Sequence, residues 1–421
     1  MSSGRAIALV SPAGDSIRID GTTRSLDRAG EALSVDTSFD LASITKILAT
    51  TTILMRAVDQ GLVDVTEPVA RFLPDWKSPD KADLTLEDLL RHESGLEEWR
   101  PFYITCKSVS EVHKKIAALP LKYPARSGFH YSDLNFITLG EVVSRIYTSN
   151  LATIFAREVV APFGLTSTQF ARPKSGSVAA TSIGDSIEQK MVSTKTPYAI
   201  PEVAEEFTAW RTEILEGEIN DGNSFHCFDG VAGHAGLFST LNDLIRYSRG
   251  LIDSQNGDGP INPKTLDHFA TPRLEAAQGI GFRRYPMRSA EIAIGHPGFT
   301  GTGIAINLAH GSALIYLSNR LHTQGTYLPM ADIWRPELTE LAELVWGSFF
   351  PGLKIPAGSK IAFIERCNSS SFGSLSLLAA PTLILPMPCS PLAVPPSPCA
   401  ASIIARKARR ARTSAAVSPW S

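Results

Sequence analysis

Paired cysteine is one of the things this sequence lacks. Its 421 residues hold five cysteines, Cys106, Cys227, Cys367, Cys389 and Cys399, an odd number with no C-x-x-C pair. That argues against a secreted disulfide framework. The histidines show no metal-ligand spacing, so neither a metal nor another cofactor is expected. Neither sign of charge dominates: 40 Lys and Arg stand against 42 Asp and Glu, a net charge of −2. Such a balance gives no global field for nucleic acid or an anionic membrane. The opening "MSSGRAIALVSPAGDS" has too short an apolar run for a signal peptide, so the expected location is the cytoplasm and no membrane partner is expected. What remains, 43% hydrophobic and 19% charged residues, is ordinary for a globular chain long enough to build a large core.

Strand signals stand at both ends of the first 320 residues. "RAIALV" (Arg5–Val10) and "SIRIDG" (Ser16–Gly21) flank a Pro-Ala-Gly-Asp turn and predict a hairpin. "EIAIGH" (Glu291–His296), "GTGIAINLA" (Gly301–Ala309) and "SALIYLSN" (Ser312–Asn319) predict an antiparallel meander, its last turn at His310–Gly311. Helical periods lie between: "TLEDLLRHESGL" with Thr85 as cap, "LNFITLGEVVSRIY", and "LNDLIRYSRGLI". A closing helix is expected from about Pro336. Together they predict an α+β fold, one antiparallel sheet built from both termini with flanking helices and a mainly helical insertion. The expected boundaries are 1–65 with 236–348 for the sheet domain, 66–235 for the helical domain, and 349–421 for an extension. From Cys367 to Ala405 there is no charged residue, and seven prolines fall between Pro381 and Pro398. An uncharged run before "ARKARRAR" has the outline of a membrane anchor. Its proline density points instead to a disordered or non-native tail.

The stretch "FDLASITKILATTTILMRAVDQG" (Phe39–Gly61) is a helix with an apolar face, opening on Ser43 and Lys46 one turn apart. Ser43 reads either as an ordinary N-cap or as a nucleophile with Lys46 as its base, the S-x-x-K arrangement of serine acyl-enzymes. On the second reading the positive helix end favours a neutral Lys46. A second S-x-x-K, Ser78 with Lys81, lies in a Pro/Asp stretch without helical period and reads as a loop.

Two further stretches stand out. In "GFHYSDLNF", Tyr131 precedes a helix capped by Ser132 or Asp133, and in "IGHPGFTGTG", His296 ends a strand before a glycine-rich turn. Taken in order, Ser43–Lys46, Tyr131–Asp133 and His296–Gly298 resemble the three motifs of serine β-lactamases and penicillin-binding proteins. The likeness is greatest to the class C branch with its esterase and D-amino-acid peptidase relatives. There the motifs read S-x-x-K, Y-x-N and K-T-G, with Y-S-D and H-x-G as esterase-like variants. The phrases "LLRHESGL", "APFGLTSTQF", "GVAGHAGLFST" and "LIYLSNR" are similar too, so the resemblance spans about residues 1–348.

The resemblance implies a β-lactamase/transpeptidase-like fold and a role for each position. Ser43 would be acylated, Lys46 would take or share its proton, and Tyr131 would be the second acid–base group. The backbone N–H groups of Ser43 and Phe299 would form the oxyanion hole. Asp133, in the place of asparagine, would orient Lys46 or substrate, and His296 and Gly298 would border the substrate. His92 reads as a structural histidine, and His234 as lying where glycines let backbones approach. His296 and Pro297 depart from K-T-G, which removes the cation and hydroxyl that hold a substrate carboxylate. Proline also marks an edge strand with room beside it. The implied activity is hydrolysis of small carboxylic esters, the partner being a small-molecule ester or amide. The alternatives are a β-lactamase or D-amino-acid peptidase, and a non-catalytic scaffold.

Overall fold

The alternation read in the first residues becomes β1 (Gly4–Val10) and β2 (Ser16–Gly21), paired antiparallel. In the computed structural model the described residues are 3–173, 176–287, 291–323 and 327–339 except 335 and 338. The late meander becomes β4 (Ile292–Gly298), β5 (Thr302–Asn307) and β6 (Ser312–Ser318). Within the large sheet one strand was not foreseen: β3 (Arg283–Pro286), whose two arginines and proline carry no strand signal. The six form one sheet in the order β2-β1-β6-β5-β4-β3, so β1 from the start of the chain pairs with β6 near its end.

Side chains alternate across this sheet, and each face has its own cover. Ala6, Ala8, Val10, Ile294, Ile304, Ile306, Ile315 and Leu317 join the main core, beneath the helix Leu241–Asn256. Ile7, Ala293, Ala305, Leu314 and Tyr316 face the other way, onto Met330 and Trp334. Those two belong to the closing helix, whose described residues begin at 330, ahead of the expected Pro336. Met330 and Trp334 are four apart and share a helix face, which places both on the sheet. The fold is thus α+β, with an antiparallel sheet between helical layers.

Thr85 caps the helix Leu86–Leu90 through a capping box with Asp88. Ser132 holds the cap position of the helix Asp133–Tyr147, but its hydroxyl donates to the Glu97 carbonyl at 2.6 Å instead of capping. The helix after Ser43 is not regular either: Lys46–Thr51 is π-helical before the α-helix Thr52–Asp59. Such bulges often lie at functional sites. The 349–421 extension, with the anchor and tail readings placed on it, lies outside the described residues. Among the described residues no helix is long and apolar enough to cross a membrane.

Candidate active site

The nucleophile candidate sits on a tight corner. Phe39–Asp40 pairs with Leu237–Ser239, and the Leu41 N–H continues that ladder to the Leu237 carbonyl at 2.9 Å. Ala42 then takes φ +44°, a left-handed conformation that costs about 1–3 kcal/mol in a residue with a side chain. The Ile44, Thr45 and Lys46 N–H groups close successive turns onto the carbonyls of Leu41, Ala42 and Ser43. The buried Asp40 carboxylate holds the corner, accepting from the Ala42 and Asn220 N–H groups at 2.8 and 2.7 Å. Burial pushes that carboxyl up to about 6.

Two polar groups converge on Ser43. Lys46 Nζ lies 2.8 Å and the Tyr131 hydroxyl 2.9 Å from Ser43 Oγ. The separation of 88 positions between Ser43 and Tyr131 is closed by folding alone. Lys46 is fully buried, ion-paired with Asp133 Oδ1 at 2.7 Å, and donates to the His234 carbonyl at 3.2 Å. Burial opposes its charge, but the Asp133 carboxylate and Tyr131 prevail and raise its pKa. The resting site therefore holds Lys46 as a cation, against the expectation that the helix end favours the neutral amine. A carboxylate in direct contact outweighs half a charge of helix dipole. Tyr131 is raised too, by burial that the Lys46 charge only partly offsets, so it rests as the phenol.

The β4–β5 turn brings the third motif to the same place. His296 is buried, and its Nδ1 donates to the Pro297 carbonyl at 2.7 Å. Burial, and then the Lys46 charge, push the imidazole down to about 3, so it is neutral where partial charge was expected. β3 pairs with β4 only as far as Gly295, which leaves His296–Gly298 on an open edge beside Pro297. A Cβ at Gly298 would stand 2.1 Å from Thr302 Oγ1 and 2.5 Å from the Leu41 carbonyl. Glycine is what lets this turn close on the Ser43 corner. Thr300 Oγ1 ties it there through the Asp40 carbonyl at 2.6 Å, and buried Arg320 donates to the Phe299 carbonyl.

A cavity of about 420 Å³ opens beside these groups, lined by Ser43, Asp133 and Phe299. Trp99, Tyr198 and Met191 supply apolar wall, and Glu188 and Asp221 a polar one. The Glu188 carboxyl is pushed up to about 8 by burial and the Asp221 charge. Among the described residues no cluster of His, Cys, Asp and Glu is arranged to hold a metal ion. Asp40 and Asp221 belong to none of the three motifs, and Arg320 enters only as the end of the phrase "LIYLSNR", so no sequence signal gives their roles. His234 contributes a backbone carbonyl, an atom that every residue possesses. Gly233 beside it does lie against Gly140 and the Phe136 carbonyl, the close approach its sequence foretold. In the decoy pair, Lys81 Nζ is spent on the Ala117 carbonyl at 3.0 Å.

Comparison with known proteins identifies relatives of the chain. A family model described as Beta-lactamase matches residues 15–333. An N-acetylmuramyl-L-alanine amidase of Bacillus subtilis (strain 168) is 31% identical over 316 residues, covering 68% of this chain and 69% of that protein. D-alanine carboxypeptidase AmpC from Burkholderia cenocepacia superposes with a TM-score of 0.60 at 17% identity, over 82% of this chain and 94% of that one. EstCE1, a hydrolase with promiscuous acyltransferase activity, does so with a TM-score of 0.61 at 16% identity and the same two coverages. At such identities these two structures establish a shared fold and no more. The family match and the amidase go further, and the chain belongs to the serine β-lactamase and penicillin-binding-protein family of hydrolases.

Proposed function

We propose that this hydrolase cleaves small carboxylic esters through an acyl-enzyme on Ser43. The observation that carries the reading is the convergence of Lys46 Nζ and the Tyr131 hydroxyl on one buried serine oxygen. Ser43 Oγ attacks the ester carbonyl carbon and its proton passes to the Tyr131–Lys46 pair, once that pair has shed one proton. The Ser43 and Phe299 N–H groups receive the oxyanion. The pair then protonates the departing alkoxide, and water drawn through the same groups releases the acid. Asp133 keeps Lys46 in place from behind.

Ester preference rests on what stands in the third motif. A neutral His296 and a proline offer neither charge nor hydroxyl to a substrate carboxylate. A missing charge-assisted hydrogen bond of about 1.5–3 kcal/mol lowers turnover of carboxylated substrates by roughly ten- to a hundred-fold. The similarity to an amidase favours amide cleavage as the second reading. A panel of short-chain p-nitrophenyl esters, nitrocefin and a D-Ala–D-Ala peptide separates the two. Esters should give the largest kcat/KM, and a larger value for either of the others would sink the ester reading.

A further inference from the structure

Tyr131 belongs to no helix or strand; it precedes the helix Asp133–Tyr147 on chain without ladder bonds. Its neighbours, however, both hang on one residue. The His130 N–H donates to the His92 carbonyl at 2.8 Å, and the Ser132 N–H donates to His92 Nδ1 at 3.0 Å. Between those two bonds the His92 ring lies against the Tyr131 ring, centroids 4.6 Å apart and planes tilted by 35°. We propose that His92 is a positioning residue that brackets Tyr131 and holds its hydroxyl on Ser43 Oγ. The inference rests on the reading of Tyr131 as an acid–base group.

Two costs at His92 need such an offset. It sits just beyond the helix Leu86–Leu90 with φ +57°, where glycine or asparagine is the usual choice. Its ring is also buried, and because Nδ1 accepts from Ser132, the proton is on Nε2, which has no acceptor among the described residues. A buried donor without a partner is costly. Phenylalanine would fill the space among Phe129, Tyr131 and Phe136 without that cost, but could not accept the Ser132 N–H. Burial, with the charges of Lys46 and Arg283, keeps the ring neutral. A protonated ring would turn an N–H towards an N–H and open the bracket.

The test is a double-mutant cycle on p-nitrophenyl ester turnover. Glycine tolerates the left-handed backbone and lacks both the ring and the acceptor. His92→Gly should lower kcat about 10- to 100-fold with KM within about twofold, the scale expected of a displaced catalytic group. In a Tyr131→Phe background the same substitution should cost less than about twofold. Full additivity, or a loss confined to KM, overturns the proposal. Should His92→Gly fail to melt cooperatively, His92→Phe keeps the packing and removes only the acceptor. It should lower kcat similarly, and wild-type kcat in that variant overturns the proposal as well. If Tyr131→Phe alone leaves turnover unchanged, the acid–base reading falls and His92 with it. An impaired Tyr131→Phe with additive loss refutes His92 alone.

Discussion

Replacing Asp133 with asparagine changes charge at the site while leaving shape nearly intact. Asp133 Oδ1 lies 2.7 Å from Lys46 Nζ, the lysine side chain fully buried and the carboxylate side chain 8% exposed. An opposite charge so close moves a titrating group by about 1–3 pH units, or about 1.4–4 kcal/mol. In the wild type Lys46 is held protonated and Tyr131 neutral, so the acceptor for the Ser43 proton forms only as pH rises. Ester kcat/KM should therefore climb along a limb above neutral pH. Asp133→Asn should bring that limb down by about 1–3 pH units, whatever the substitution does to the plateau. Stability should move the other way. The raised Lys46 keeps the pair's contribution intact at neutral pH and loses it only as pH rises through the folded-state value. Without Asp133 a buried cation is left unpaired, a loss of about 3–5 kcal/mol that eases as pH rises and the amine sheds its proton. The variant should melt well below wild type near pH 6 and regain part of the gap near pH 9. A limb that stays in place, or moves up, would refute the claim that Asp133 sets the charge of Lys46.

Ser43→Ala should abolish both ester turnover and labelling by a serine-directed phosphonate, read by mass on the peptide spanning residues 43–46. Lys46→Ala and Tyr131→Phe should each lower kcat by about 10²-fold or more, while Ser78→Ala in the decoy pair changes little. His296→Lys with Pro297→Thr should raise the nitrocefin-to-ester ratio of kcat/KM roughly ten- to a hundred-fold; an unchanged ratio would detach specificity from this strand. Gly298→Ala drives a methyl onto Thr302 Oγ1 and the Leu41 carbonyl. It should cost about 1–3 kcal/mol in denaturant melts and most of the turnover, since Leu41 leads into the Ser43 corner.

Much of the fold was legible because it rests on periodicity. The strand signals in Gly4–Val10 and Ser312–Ser318 were readable, and the three-and-four spacing after Ser43 marks a helix, although the structure buries residues 43–55 on every side rather than on the one face expected. The strand Arg283–Pro286 was not legible, because it is recruited by pairing with its neighbour against its own composition. The closing helix begins at residue 330, where the sheet face offers Met330 and Trp334 a surface, and no local signal reports that.

The site divides along the same line. By itself the sequence determined which groups could react: Ser43, Lys46 and Tyr131 in order, an aspartate for an asparagine, and a histidine and proline where a lysine and threonine usually stand. Their identities are covalent facts and need no partner. Charge and position were left to the tertiary structure. The Asp133 carboxylate, prevailing over burial, made Lys46 a cation, and burial with the Lys46 charge emptied His296 of its proton. The N–H groups on either side of Tyr131, those of His130 and Ser132, both donate to one distant histidine, His92. A side chain's ionisation depends on its surroundings and its position on its neighbours, and both exist only once the chain has closed on itself.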